Sequence, residues 1–199
     1  MPVPLVLAST SQTRSALLRA AGLDVTVAAP RLDEVAIRDS LLAQGTSPRD
    51  IADALATMKA EKIAPRDPTA WVIAADQILE LDGSLMGKPP DRQSAHAQLL
   101  RLAGRTHHLH TAVVVHADGR PVWRHIDTAK LTMRPLSATW IDSYLDRIGT
   151  LATASVGAYQ IEAEGIRLFS RIEGDYFAIL GLPLTPLLNY LTLREAITP

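Results

Sequence analysis

The sequence contains no cysteine, which excludes disulfides and thiolate metal centres. Aromatic residues make up only 5% of the chain, too few for the stacking platform of a single-strand nucleic-acid binder. Neither sign of charge prevails: 20 basic against 21 acidic residues leave a net charge of -1. No long-range field therefore draws nucleic acid or an anionic membrane, and any bound anion must be held by a local cluster of cations. Long apolar runs are absent as well. The most apolar late stretch, Phe177 to Leu188, is interrupted by Gly181, Pro183 and Pro186 and is too short to span a bilayer. The first residues lack the basic and apolar regions of a signal peptide, so a cytoplasmic address is expected.

What is present suits a full core. A chain of 199 residues, 47% of them hydrophobic, fits one domain or two closely packed lobes. A chain of this length buries roughly 70% of its unfolded surface. Near the N-terminus, residues 3–8 read as a buried strand. Ser9, Thr10 and Ser11 then make a tight turn, and Arg14 follows at the start of a helix expected over about 11–21. First-turn amides, hydroxyls and a planar guanidinium together suit phosphate oxygens. Val25, Thr26 and Val27 read as a second strand, leading to a proline-started loop that sets Asp33 beside Glu34.

Ser47, Pro48 and Asp50 open a helix that Pro65 closes. Ile51, Leu55 and Met58 form its apolar stripe, and spacing alone makes Lys59 a solvated lysine whose stem snorkels beside that stripe. Residues 71–79 read as a central strand buried on both faces. Asp76 interrupts its apolar run, which resumes at Ile78; a carboxylate there is costly unless paired or metal-bound, so function is expected of it. Asp82 and Gly83 mark a turn, and a short strand leads to Gly87, Lys88 and Pro89, a loop rather than a Walker motif.

Asp91 begins a helix through about Leu102. Thr106 to His116 and Val122 to Met133 pair as a hairpin about Asp118 and Gly119. His108 and His110 share a strand face, but no third ligand is evident and a zinc site is not expected. Ser137 caps a helix to about Arg147. Residues 154–165 have a functional loop's composition, Ile166 to Ile172 reads as a strand, and Thr185 with Pro186 opens a closing helix. Early alternation of strands and helices with a central hairpin favours an α/β fold with a mixed sheet.

The polar residues at these strand ends fall in recognisable groups: Ser9, Ser11 and Arg14; Asp33 and Glu34; Ala56, Lys59 and Ala60; Ala75 and Asp76; Gly87, Lys88 and Pro89; Gly157, Ala158 and Tyr159; and the endings Arg171 to Gly174 and Gly181 to Leu184. In order and spacing the chain resembles the Maf family of nucleoside triphosphate pyrophosphatases, once described as septum-formation inhibitors. The resemblance implies one Maf-like domain over residues 1–199, with an extended mixed sheet flanked by helices. It also implies two lobes about a central cleft, akin to the inosine triphosphatases. The implied reaction cleaves a nucleoside triphosphate to monophosphate and pyrophosphate with Mg²⁺ or Mn²⁺. By resemblance Asp76 is the proton acceptor or a metal ligand, with Glu34 as a second ligand to the metal. Ser9, Ser11, Arg14, Lys59 and Lys88 are then phosphate contacts.

Subgroups of the family differ at the positions of Thr13, Gln77 and Glu162. Gln77 and Glu162 resemble members that prefer 7-methyl-GTP; Thr13 does not, since that position is often aromatic in them. A carboxylate can accept both Watson–Crick donors of guanine and favours the positive charge of the methylated ring. Pyrimidine triphosphates are the alternative substrates. A nucleotide-binding regulator of cell division without turnover is a further alternative, opposed by the full set of carboxylates and cations. A homodimer is also implied by the resemblance, and neither nucleic acid nor membrane is expected as a partner.

Overall fold

The computed structural model describes residues 3–198. A seven-stranded mixed sheet runs β2-β1-β3-β5-β6-β7, with β4 beside β3, and helices flank it. Its strands are β1 (Leu5–Leu7), β2 (Val25–Val27), β3 (Trp71–Leu81), β4 (Ser84–Met86), β5 (Thr106–Ala117), β6 (Arg120–Met133) and β7 (Phe169–Glu173). β1 pairs in parallel with both β2 and β3, setting Leu7 opposite Val27 and Ile73, whereas β4 on β3 and β7 on β6 are antiparallel. Asp118 and Gly119 both take positive φ, 51° and 76°, as the two-residue hairpin turn between β5 and β6 requires. No helix among the described residues is long and apolar enough to cross a membrane.

The chain divides into two compact units, and β3, β5 and β6 each contribute residues to both. The first comprises the chain up to Gln77, Thr111–Asp127, and the segment from Asp175 onward. It holds α1 (Gln12–Ala20), α2 (Glu34–Ala43), α3 (Pro48–Ile63), α6 (Tyr176–Ile179) and α7 (Leu184–Leu193). Ile73 and Ala75 join Leu5, Leu7, Val25, Val113 and Val115 in a core with Leu18 of α1 and Leu187 and Leu191 of α7. Each such leucine stabilises the fold by about 1.5–3 kcal/mol. The few aromatics are used for packing: Trp123 stacks on Tyr190 at 4.9 Å.

The pleat sends Val72, Ala74 and Asp76 to the opposite face of β3. There α3 lies with Ile51, Leu55, Ala56, Lys59 and Ile63 buried. Sequence spacing sets α3 correctly from its Ser47 cap, whose Oγ accepts the Asp50 amide at 3.2 Å. It does not foresee α2. No residue of α2 is buried, so its apolar residues carry no periodic signal; Asp33 nucleates it by accepting the Ala36 amide at 3.0 Å. Glu34 therefore opens a helix instead of lying in a loop.

The second unit comprises Ile78–His110 and Thr128–Gly174, with α4 (Arg92–Leu102) and α5 (Ala138–Ile148). Residues 149–168 form a series of 3₁₀ turns, so the strand expected from Ile166 begins only at Phe169. Beneath these turns His107 is wholly buried, its Nε2 2.7 Å from the Tyr159 hydroxyl. Burial first, and the neighbouring His108 second, lower its pKa from 6.5 to about 4. The unfolded chain thus binds this proton before the folded one. Stability contributed by neutral His107 is present above pH 6.5 and is lost as pH falls toward about 4, by about 3 kcal/mol in all. Urea unfolding at pH 7 and pH 4 should reveal that loss, and His107→Gln should abolish it; an unchanged pH slope in the variant would exclude His107 as its source.

Candidate active site

Three segments of the first unit meet at the end of β1. Ser11 caps α1 by accepting the Arg14 amide at 3.3 Å, and Ser9 Oγ accepts the Ser11 amide at 3.1 Å. By helix geometry the first amides, those of Gln12 and Thr13, have no intrahelical acceptor. Arg14 is held in place by carbonyls. Its Nε donates to Gly181 O at 2.7 Å, and Nη1 donates to Ala75 O at 2.8 Å and to Ser9 Oγ at 3.4 Å. Nη2 donates to none of the described residues, which leaves one edge of the guanidinium for an anion. Burial lowers the Arg14 pKa, with Asp76 and then Glu34 opposing the shift, but a guanidinium stays charged at neutral pH.

Ala75 carries this cradle directly to Asp76. Lys59 Nζ lies 2.5 Å from Asp76 Oδ1 and 2.9 Å from Glu34 Oε1. Lys59 and Asp76 are each only 5% exposed, whereas the Glu34 side chain is 48% exposed. Lys59 is thus no snorkelling surface lysine. It lies seven residues after Ala52 and four after Leu55, on the buried stripe itself, and its charge is offset by two carboxylates. Asp76 is likewise no solvent-facing strand end. Burial pushes its carboxyl up, against the downward pull of Lys59 and then Arg14. Such a carboxyl is suited to taking a proton.

Glu34 and Asp76 are hard oxygen donors gathered about one cationic group, and Asp76 Oδ2 accepts no hydrogen bond from the described residues. That donor set fits a hard divalent cation, which Glu34 and Asp76 would hold. No group of three or more His, Asp or Glu among the described residues could hold a metal by itself. His108 and His110 do share a face, with ring centroids 6.1 Å apart, and both approach Glu80, at 3.6 and 3.3 Å.

A family model described as "Maf-like protein" matches residues 4–194. The chain belongs to the Maf family. It is 50% identical over 195 residues to a Caulobacter vibrioides protein named nucleoside triphosphate pyrophosphatase, with 98% of each chain covered. A Jannaschia protein, nucleoside triphosphate pyrophosphatase 1, is 49% identical over 195 residues, again with 98% of each chain covered. A Brucella abortus protein named 7-methyl-GTP pyrophosphatase is 46% identical over 197 residues, covering 99% of each.

In this Maf protein Ser9, Ser11, Thr13, Arg14, Glu34, Lys59, Asp76 and Gln77 all belong to the first unit, and Lys88 and Glu162 to the second. Lys88 is exposed on the loop after β4. Glu162 is exposed and makes no ion pair with a described residue, whereas its neighbour Glu164 is engaged by Arg147 at 2.7 Å and Arg167 at 2.9 Å. Of the two loop carboxylates, only Glu162 is uncommitted. Gln77 has its amide nitrogen committed to the protein, with Thr111 Oγ1, Ile179 O and Ala178 O at 2.9, 3.0 and 3.1 Å. Only its Oε1 is left to meet a ligand. Sequence reasoning missed the carbonyls of Ala75 and Gly181 and the hydroxyl of Thr111. Backbone acceptors leave no mark on a sequence, and Thr111 reads as one more β-branched strand residue.

Proposed function

We propose that this Maf protein hydrolyses a nucleoside triphosphate to the monophosphate and pyrophosphate. The observation that carries the reading is the continuity, through Ala75 and Asp76, of an arginine-and-hydroxyl anion cradle with a buried lysine between two carboxylates. Arg14, Ser9, Ser11 and the first amides of α1 hold phosphate oxygens; Lys59, with Lys88 as a further contact, balances charge on the departing pyrophosphate. Asp76 accepts the proton of the attacking water. Pure binding would gain nothing from a carboxylate beside a phosphate, which disfavours a regulator without turnover. A divalent cation held by Glu34 and Asp76 would neutralise phosphate charge and polarise the reacting phosphorus.

For the base, 7-methyl-GTP is the preferred reading and pyrimidine triphosphates are the alternative. The name of the Brucella relative, 7-methyl-GTP pyrophosphatase, and the uncommitted carboxylate of Glu162 support it. Pyrophosphate release should be measured for 7-methyl-GTP, GTP, dTTP, UTP and CTP with Mg²⁺ or Mn²⁺, and again with a chelator. Release is expected only with metal and fastest from 7-methyl-GTP. Glu162→Gln should lower kcat/KM for 7-methyl-GTP relative to UTP by at least about tenfold, the scale of one charge-assisted hydrogen bond. An unchanged preference would refute the role given to Glu162, and no release from any triphosphate would refute the activity.

A further inference from the structure

The anchors of Arg14 differ in kind. Ala75 O belongs to β3 and is fixed by the sheet. Gly181 O belongs to the turn after α6, a helix of only 4 residues that pairs with no strand. Something else must fix that turn, because a guanidinium bonded through both Nε and Nη1 follows either carbonyl that moves. The sequence makes the approach close. Gly181 has φ 105°, and a Cβ there would lie 3.4 Å from Arg14 Nε and 3.5 Å from Nη2.

The fixing groups come from the neighbouring strands. The Thr111 hydroxyl, 1% exposed, donates to Ala178 O at 2.9 Å. That donation leaves its oxygen to accept from Gln77 Nε2 at 2.9 Å. Gln77 Nε2 also reaches Ile179 O at 3.0 Å and Ala178 O at 3.1 Å. Ala178 O already accepts the Gly181 amide at 2.9 Å; the hydroxyl on β5 and the amide on β3 tie that turn, and Ile179 O beside it, to the sheet. Gln77 and Thr111 occupy the face of the sheet that carries Ile73, Ala75, Val113 and Val115, so neither shares the Asp76 side of β3.

We infer that Thr111 is a positioning residue: with Gln77 it latches the 178–181 turn, and through Gly181 O it sets the orientation of the Arg14 guanidinium for phosphate. The inference rests on Arg14 holding phosphate, as proposed above. Removing the hydroxyl takes one donor from Ala178 O and one acceptor from Gln77 Nε2 at a buried site, and the turn, held by fewer bonds, relaxes away from Arg14.

The test measures binding of inorganic tripolyphosphate with Mg²⁺ by calorimetry, a readout independent of turnover and of the base. Arg14→Ala should weaken binding; if wild type and Arg14→Ala bind alike, the phosphate role of Arg14 fails and the inference fails with it. Given that loss, Thr111→Val should weaken binding about tenfold, Thr111→Ser should restore it to within about twofold, and Thr111→Val in the Arg14→Ala background should cost less than about twofold. Wild-type affinity in Thr111→Val, or a tenfold loss that persists without Arg14, would overturn the latch while leaving the phosphate site intact. Should Thr111→Val not fold, Gly181→Ala, which perturbs the same turn from its other end, is expected to show the same Arg14-dependent loss. An Arg14-independent loss there would equally overturn the latch.

Discussion

Asp76→Asn is expected to lose at least about a hundredfold in turnover, the lower range for removal of a general base, while remaining folded. The fold should tolerate the change because Lys59 keeps Glu34 at 2.9 Å and an amide fills the same volume. Burial already disfavours the charged form of Asp76, so the neutral replacement removes a desolvation cost along with an ion pair. The two readouts should therefore part company: pyrophosphate release collapses, and the melting temperature stays at or near that of the wild type. Stability and activity commonly trade against each other at such a position. A folded variant with near-normal turnover would remove Asp76 from the chemistry and leave Lys59 and Glu34 as a structural ion pair.

Asp76 was legible because, with Gln77, it breaks the apolar run from Trp71 to Leu79, and one buried carboxylate in a strand has few bland explanations. Arg14 and the serines were legible as a strand–turn–helix with hydroxyls at the cap. Lys59 was not. Its spacing after Leu55 says that it lies near the packed face of α3, but which charges wait opposite is decided by a strand beginning beyond Pro65. The same limit hid Thr111 and Gln77, which meet although they lie 34 positions apart. It also hid the turn they hold, since α6 is a single helical turn capped by Asp175, whose Oδ1 accepts the Ala178 amide at 2.8 Å. The helix α2 failed for a different reason. A helix that buries nothing leaves no periodic trace, and its exposed Val35 and Leu42 read as noise. Sequence patterns report what a segment buries; the site depends on what distant segments bring together.

Lys59→Met should be the most destabilising single change at the site, and its cost should depend on pH in a definite direction. At neutral pH the substitution leaves the Asp76 carboxylate buried beside no lysine, and breaking a buried pair from one side costs about 3–5 kcal/mol. Glu34 adds little to that cost, since half of its side chain faces solvent. The fold can escape only by protonating Asp76. Burial already raises its pKa, and loss of Lys59 removes the largest downward pull, so in the variant the folded-state pKa lies further above the unfolded value. The folded state then binds the proton first. Stability is lowest above the folded pKa and recovers as pH falls toward the unfolded value of about 3.9. Urea unfolding of wild type and variant across pH 5 to 8 should show the gap between them shrinking with acidification. The double variant Lys59→Met/Asp76→Asn, which has no buried charge to strand, should be more stable at pH 7 than Lys59→Met alone. A gap that is the same at every pH, or a double variant no more stable than the single one, would mean that the cost comes from packing around the α3 stripe and not from the unpaired carboxylate.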